Sequence, residues 1–119
     1  MALNLNRQEG DHWYTSDRMS QLGGNGVLQF AHSSGDFADY VPPETLVYFD
    51  DQEDLIHKIL EFHNDDAKRQ DWAARAREFF HAELNSSLYS RYIIEATLAQ
   101  PFSHDYVWAR NINPDGSDK

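Results

Sequence analysis

The stretch from Thr15 to Asp54 holds the parts of an α/β layer in chain order. A short helix that Ser16 can cap ends in a glycine-rich segment, and an apolar strand follows it. A Ser-Ser-Gly loop then leads to a second apolar strand, which runs into an acidic helix start. Such sheets bind ligands beyond the carboxyl ends of their strands, so the loops after the strands are where a binding site is expected.

Crossover segments separate the predicted strands, so the strands should be parallel with right-handed connections. The last of them has no interior polar residue, as expected of a strand covered on both faces. We therefore predict an α/β fold, a partial doubly wound (Rossmann-like) three-stranded parallel sheet with flanking helices and a C-terminal helical segment. The predicted strands, with the second in the middle of the sheet, are Leu3–Leu5, Val27–Ala31 and Leu46–Phe49.

Besides the early helix, which is predicted from Asp17 to about Leu22, three helices are predicted after the last strand. An Asp50-x-x-Glu53 start that resembles a capping box begins the first, and the second begins near Asp66. A third helix follows Asn85 and ends before Pro101.

The chain is predicted to divide into a domain over residues 1–100 and a tail over 101–119. Tyr106 and Trp108 in the tail are expected to dock on the surface, and Asn113 to Lys119 is expected to be disordered.

Charge and composition exclude several functions. The formal net charge is -10, which disfavours binding to nucleic acid or to an anionic membrane surface. No apolar run is long enough to span a bilayer. The chain has no cysteine, which favours a cytoplasmic protein without disulfides, and its six histidines do not fall at metal-ligand spacings. We therefore expect no metal and no cofactor.

The ordered series of motifs resembles the C-terminal, donor-binding half of two-domain (GT-B) glycosyltransferases. Within that group it is similar to the CgeB-like, glycosyltransferase group 1-like domains. The resemblance covers roughly residues 3–98. The matching residues are Leu3 to Gln8, Tyr14 to Gly26 (with Arg18, Gln21 and Gly26 on the family's Arg-x-x-Glu…Gly pattern), Val27 to Ala31, Gly35, Val47 to Asp51, Asp54 to Ile59, and Ala73 to Glu78 with His81.

The resemblance implies that residues 1–100 are half of a GT-B C-terminal domain that binds a nucleotide-sugar donor. The start of the predicted helix at Asp17 offers free backbone N–H groups that suit a phosphate. Arg7 and Arg18 are the only arginines or lysines before His57, and they are candidate anion contacts. The candidate substrate-binding residues are Arg7, Ser16, Arg18, Gln21 and Gly35. Simpler roles stay open: ion pairing of the arginines with Glu9 or Asp17, helix capping by Ser16, and a turn at Gly35.

The chain departs from the family's pattern in two ways. Gln21 stands where many members carry a glutamate that holds the ribose, and Trp13 stands where a second glutamate would fall. The acceptor-binding N-terminal domain and a first βαβ unit with basic phosphate-binding residues are missing from this chain. We therefore expect no transferase activity from the isolated chain, and no catalytic residue is assigned. A non-catalytic interaction module that retains the fold is the main alternative, and a response-regulator-like switch is a weaker one.

Overall fold

The computed structural model describes residues 1–5 and 16–108. Arg7, the loop around it and the segment from Asn113 to Lys119 lie outside these residues, so the predictions made for them stay predictions. The described part is an α/β fold with helices on both faces of a three-stranded parallel sheet. Its elements are β1 (Ala2–Asn4), α1 (Asp17–Gly24), β2 (Gln29–His32), β3 (Val47–Phe49), α2 (Gln52–Asn64), α3 (Asp66–Glu83) and α4 (Ser86–Thr97).

The strand order is β1-β2-β3 and both pairings are parallel, which confirms the predicted sheet and its central strand. In register, Leu3 pairs with Phe30, and Ala31 pairs with Tyr48. β2 begins two residues later than predicted because the amide of Val27 closes the end of α1, donating to the Leu22 carbonyl at 2.9 Å.

The two faces of the sheet carry separate apolar clusters. One face, here called the α1 face, presents Ala31 and Tyr48 to a cluster that includes Met19 of α1 and the second half of α3. The other, the α2 face, carries Phe30, Val47 and Phe49, which pack with α2 and the first half of α3. The residues that cover the α2 face are Leu55, Ile59, Phe62, Trp72 and Ala73.

Two of the predicted helix starts need correction. α2 is capped by Asp51 rather than Asp50, since the Asp51 carboxylate accepts the amide of Asp54 at 2.8 Å. The Asp54 carboxylate in turn accepts the amide of Asp50 at 3.1 Å. Ser16 does precede α1, but its side chain makes no capping hydrogen bond. The predicted cap of α4 is confirmed, because the Asn85 side chain accepts the amide of Leu88 at 3.0 Å.

The segment after α4 belongs to the core rather than docking on the surface. Tyr106 and Trp108 are 1% and 8% exposed and lie in the cluster on the α1 face. Glu95, buried on α4, fixes this segment by accepting the amide of Ser103 at 3.2 Å and the hydroxyl of Tyr106 at 2.8 Å. The hydrogen bond from the Ser103 side chain, helped by the one from Tyr106, holds the pKa of Glu95 below its usual value although burial opposes this.

None of the described helices combines the length and the apolar character that crossing a membrane would require.

Candidate functional site

The carboxyl ends of the three strands meet at one edge of the sheet, here called the carboxyl edge. β1 ends at Asn4, β2 at His32 and β3 at Phe49. Since α1 follows β1 and returns to the amino end of β2, its first turn begins at this edge. The carboxyl edge is where an open α/β sheet binds its ligand.

The first turn of α1 holds two of the predicted site residues. The Ser16 carbonyl accepts the amide of Met19 at 2.9 Å, but the Ser16 hydroxyl oxygen is buried without a hydrogen-bond partner. Arg18 is exposed and pairs with no carboxylate of the described residues, Asp17 included. Within the part of the chain that the structure describes, neither side chain has a polar partner, and both lie beside the positive end of the α1 dipole.

A buried network of hydrogen-bonded polar side chains lies beside the first turn of α1 and was not predicted from the sequence. The Met19 carbonyl can only accept, so Gln29 presents its amide nitrogen to it, at 3.0 Å. The Gln29 side-chain oxygen then accepts the amide nitrogen of Asn4 at 3.3 Å. This order leaves the side-chain oxygen of Asn4 as an acceptor without a donor, on a residue only 4% exposed. Buried polar atoms are rarely left unpaired, and an O–H or N–H donor from a water or a ligand would satisfy this acceptor.

The loops after β2 and β3 are joined through His32. Nε2 of His32 lies 3.0 Å from the Asp50 carbonyl, which cannot donate, so this nitrogen carries the proton. Nδ1 is then the acceptor for the Ser34 amide at 3.1 Å and the Ser34 hydroxyl at 2.8 Å. Because both ring nitrogens are engaged, His32 forms no Ser-His-Asp triad with Ser33 and Asp36 and instead holds the loop in shape.

Gly35 and Gln21 lie apart from the first turn of α1. Gly35 is buried, and a Cβ there would lie 2.5 Å from the Phe37 ring, so close packing explains the glycine. Gln21 is exposed on the second turn of α1, away from the buried residues Met19 and Gly23. The structure thus brings Ser16 and Arg18 together on one turn, places Gln21 farther along the same helix, and places Gly35 on a different loop.

The remaining polar groups near this edge are mostly acidic. Asp50 and Asp51 are exposed, and the described residues contain no group of three or more His, Cys, Asp or Glu side chains that could hold a metal ion. Tyr48 has a buried hydroxyl without a partner, and burial, aided by Asp39, raises its pKa well above the usual value. An anionic ligand is therefore favoured at α1 rather than at the ends of β2 and β3.

A shallow cavity of about 490 Å³ lies at the opposite, amino edge of the sheet. It runs between the turn at Gly26 and the α3 residues Ala73, Arg77 and His81. His81 lies 2.9 Å from the Gly24 carbonyl, where its Nε2 donates to the last turn of α1. His81 therefore has a structural role at the end of α1.

The parallel sheet with helices on both faces and a polar carboxyl edge defines a partial Rossmann-like α/β protein. Within that class the chain belongs to the glycosyl transferase-like family, whose family model matches residues 1–94. Neither a curated protein nor a solved structure matches the chain.

Proposed function

We propose that this chain is the nucleotide-sugar-binding portion of a glycosyltransferase-like protein that transfers a sugar from a nucleotide donor. Membership of the glycosyl transferase-like family supports sugar transfer as the chemistry of the parent protein. The observation that carries the proposal is the pair of buried, unpartnered oxygens on Asn4 and Ser16, which flank the first turn of α1. The guanidinium of Arg18, which pairs with no carboxylate among the described residues, lies on the same turn.

Each group has a role in this proposal. The N-terminus of α1 and Arg18 would bind the diphosphate, whose developing charge such donors stabilise when the sugar leaves. A hydroxyl or N–H of the nucleotide-sugar would donate to Asn4, and Ser16 can both donate and accept. Gln21 would bind a ribose hydroxyl without adding charge, and Arg7 would add a second cation. Gly35 would contribute through the tight turn that positions the serines before it.

The GT-B architecture, the CgeB-like relationship, the acceptor-binding partner domain and a cytoplasmic location belong to the same proposal. The acceptor has to be held in line with the donor for transfer, and that alignment contributes several orders of magnitude to the rate.

A second candidate function is a non-catalytic interaction module. The observation that favours it is the pair of exposed apolar side chains Ile94 and Leu98, which are four residues apart at the end of α4 and so share one face. Single exposed apolar residues are ordinary, but a contiguous patch marks protein contacts.

In a titration with uridine or guanosine diphosphate, we expect weak binding, with a dissociation constant of about 1 mM, or roughly -4 kcal/mol. Arg18→Ala should weaken it by about ten-fold or more, because a charge-assisted hydrogen bond contributes roughly 1.5–3 kcal/mol. Amide chemical shifts would report the site, and those of Asn4, Ser16 and Met19 should move most.

The matched control is Arg91→Ala. Arg91 is also an exposed arginine, but it lies on α4, so the affinity should stay unchanged. Shifts that cluster on α4, or no shifts at high millimolar nucleotide, would contradict donor binding and favour the interaction module.

The purified chain should not convert any nucleotide-sugar into a glycoside above the rate of hydrolysis, because no acceptor is held in line with the donor. Product analysis by mass spectrometry with a panel of donors and simple sugar acceptors checks this. Glycoside formation by the 119-residue chain alone would overturn it.

A further inference from the structure

Gln29 is a polar side chain in the core, and its presence there needs a physical explanation. It is the first residue of β2, the central strand, and it is 0% exposed. A strand that is covered on both faces is normally apolar. Burying an amide costs free energy unless its polar groups are paired, and the pairing roughly offsets that cost. An apolar side chain of the same size would have no such requirement, so Gln29 specifies where its neighbours lie more than it stabilises the fold.

The side-chain amide of Gln29 joins three elements of the fold. Its Nε2 donates to the Met19 carbonyl of α1 at 3.0 Å, and its oxygen accepts from Nδ2 of Asn4 in β1 at 3.3 Å. Asn4 pairs with Ala31, two residues beyond Gln29, so the Gln29 side chain extends beneath α1 toward the carboxyl edge. The Met19 carbonyl fixes the orientation of the Gln29 amide, which in turn fixes that of the Asn4 amide.

The first turn of α1 is held by this contact in the absence of a side-chain cap. Ser16 precedes the helix, but its side chain makes no capping hydrogen bond. Helix ends fray, and a start without a cap leaves its first N–H groups without that partner. Met19 lies in this turn, and its carbonyl is tied to the central strand through Gln29. The sheet therefore holds the turn from beneath, and the Ser16 side chain leaves the capping role open.

We propose that Gln29 is a positioning residue of the donor site, an inference that rests on the proposed function. Its two hydrogen bonds set where the first turn of α1 lies on the sheet and which atom of the Asn4 amide is left as an acceptor. Arg18 then lies where it meets the diphosphate, and Asn4 offers its oxygen to a hydroxyl or N–H of the same ligand. Gln29 itself touches no ligand, since its amide is engaged within the core.

The first measurement is amide hydrogen exchange, which needs no ligand. Gln29→Met keeps the length of the side chain and removes both hydrogen bonds. The amides at the start of α1 should then exchange ~10-fold faster or more, because the first turn opens more often. The matched control is Gln70→Met, which replaces an exposed glutamine of α3 that bonds Asp66 at 2.6 Å. This control should leave exchange in α1 unchanged.

The second measurement is a titration with uridine or guanosine diphosphate. Gln29→Met should weaken binding by ~10-fold, comparable with the loss of the charge-assisted bond of Arg18. In that background Arg18→Ala should have little further effect, because the displaced turn no longer brings the guanidinium to the diphosphate. A residue that only stabilised the fold would change neither the affinity of the folded chain nor the effect of Arg18→Ala.

Gln29→Glu supplies a rescue, and it also covers the case in which Gln29→Met does not fold. A protonated carboxyl can donate its O–H to the Met19 carbonyl and accept from Asn4, as the amide does, whereas a carboxylate cannot donate. Burial raises the pKa of such a carboxyl and favours the neutral form. This variant should therefore keep native exchange and affinity at low pH and lose both as the pH rises through that pKa, with the native chain at each pH as the reference.

The outcomes separate this inference from the proposed function. Equal exchange in Gln29→Met and Gln70→Met, or no recovery of Gln29→Glu at low pH, would overturn the hold of Gln29 on α1. Nucleotide binding that Gln29→Met leaves unchanged would overturn the positioning role while donor binding stands. If the native chain binds neither nucleotide, donor binding and the positioning role both fail, although faster exchange in Gln29→Met would still establish the hold on α1.

Discussion

Replacing Trp108 with alanine should lower the free energy of unfolding by about 3–5 kcal/mol, the usual cost of truncating a buried tryptophan. Trp108 stacks on Tyr89 with ring centroids 4.5 Å apart and contacts Tyr106 at 5.3 Å. Loss of the indole leaves a cavity between α4 and the segment that follows it. Urea unfolding followed by far-ultraviolet circular dichroism measures the change.

The matched control is Phe102→Ala in the same segment. Phe102 stacks on Tyr92 at 5.3 Å but is 41% exposed, so its truncation should cost only about 1 kcal/mol. Equal small losses for both variants would show that the segment only rests on the surface, as its sequence had suggested.

That sequence interpretation failed for a physical reason. The segment after Pro101 has no periodic apolar pattern, so nothing local indicates burial. Its aromatic residues become core because Glu95 supplies a buried carboxylate to Ser103 and Tyr106, and this partnership depends on the packing of α4.

The sheet was predictable because strands such as Leu46–Phe49 lack interior polar residues, which is typical of strands covered on both faces. The helix starts were predictable only to within a residue. Asp50 and Asp51 offer the same chemistry, and the choice between them depends on where β3 ends.

The candidate site, too, could be predicted only in part from the sequence. Ser16 and Arg18 follow from the pattern of a helix start after a strand, and their proposed role in donor binding stays a prediction. Asn4 and Gln29 could not be found from the pattern, because each is a polar residue in a strand whose partner lies 25 residues away. Only the folded arrangement shows that the Asn4 acceptor is unpaired.

Gly23→Ala should be the second strongly destabilising change, with a loss of about 1–3 kcal/mol in the free energy of unfolding. A Cβ at Gly23 would lie 2.4 Å from the ring of Phe80, an α3 residue that is buried where α3 packs on α1. The ring has little room to move away, because it is buried in the core and also packs against Phe79 with centroids 5.9 Å apart. The methyl group must therefore push α1 away from α3, and this should also disturb the first turn that carries Arg18.

Gly24→Ala provides the comparison at the next residue of the same helix. A Cβ at Gly24 would meet nothing nearer than His81 at 3.8 Å, an ordinary contact. Since alanine restricts the unfolded chain more than glycine does, this variant should be stabilised by about 0.5–1 kcal/mol. Urea unfolding should give changes of opposite sign in the free energy of unfolding for the two neighbouring substitutions, which would establish close packing of α1 on α3. A stabilised Gly23→Ala variant would contradict this packing.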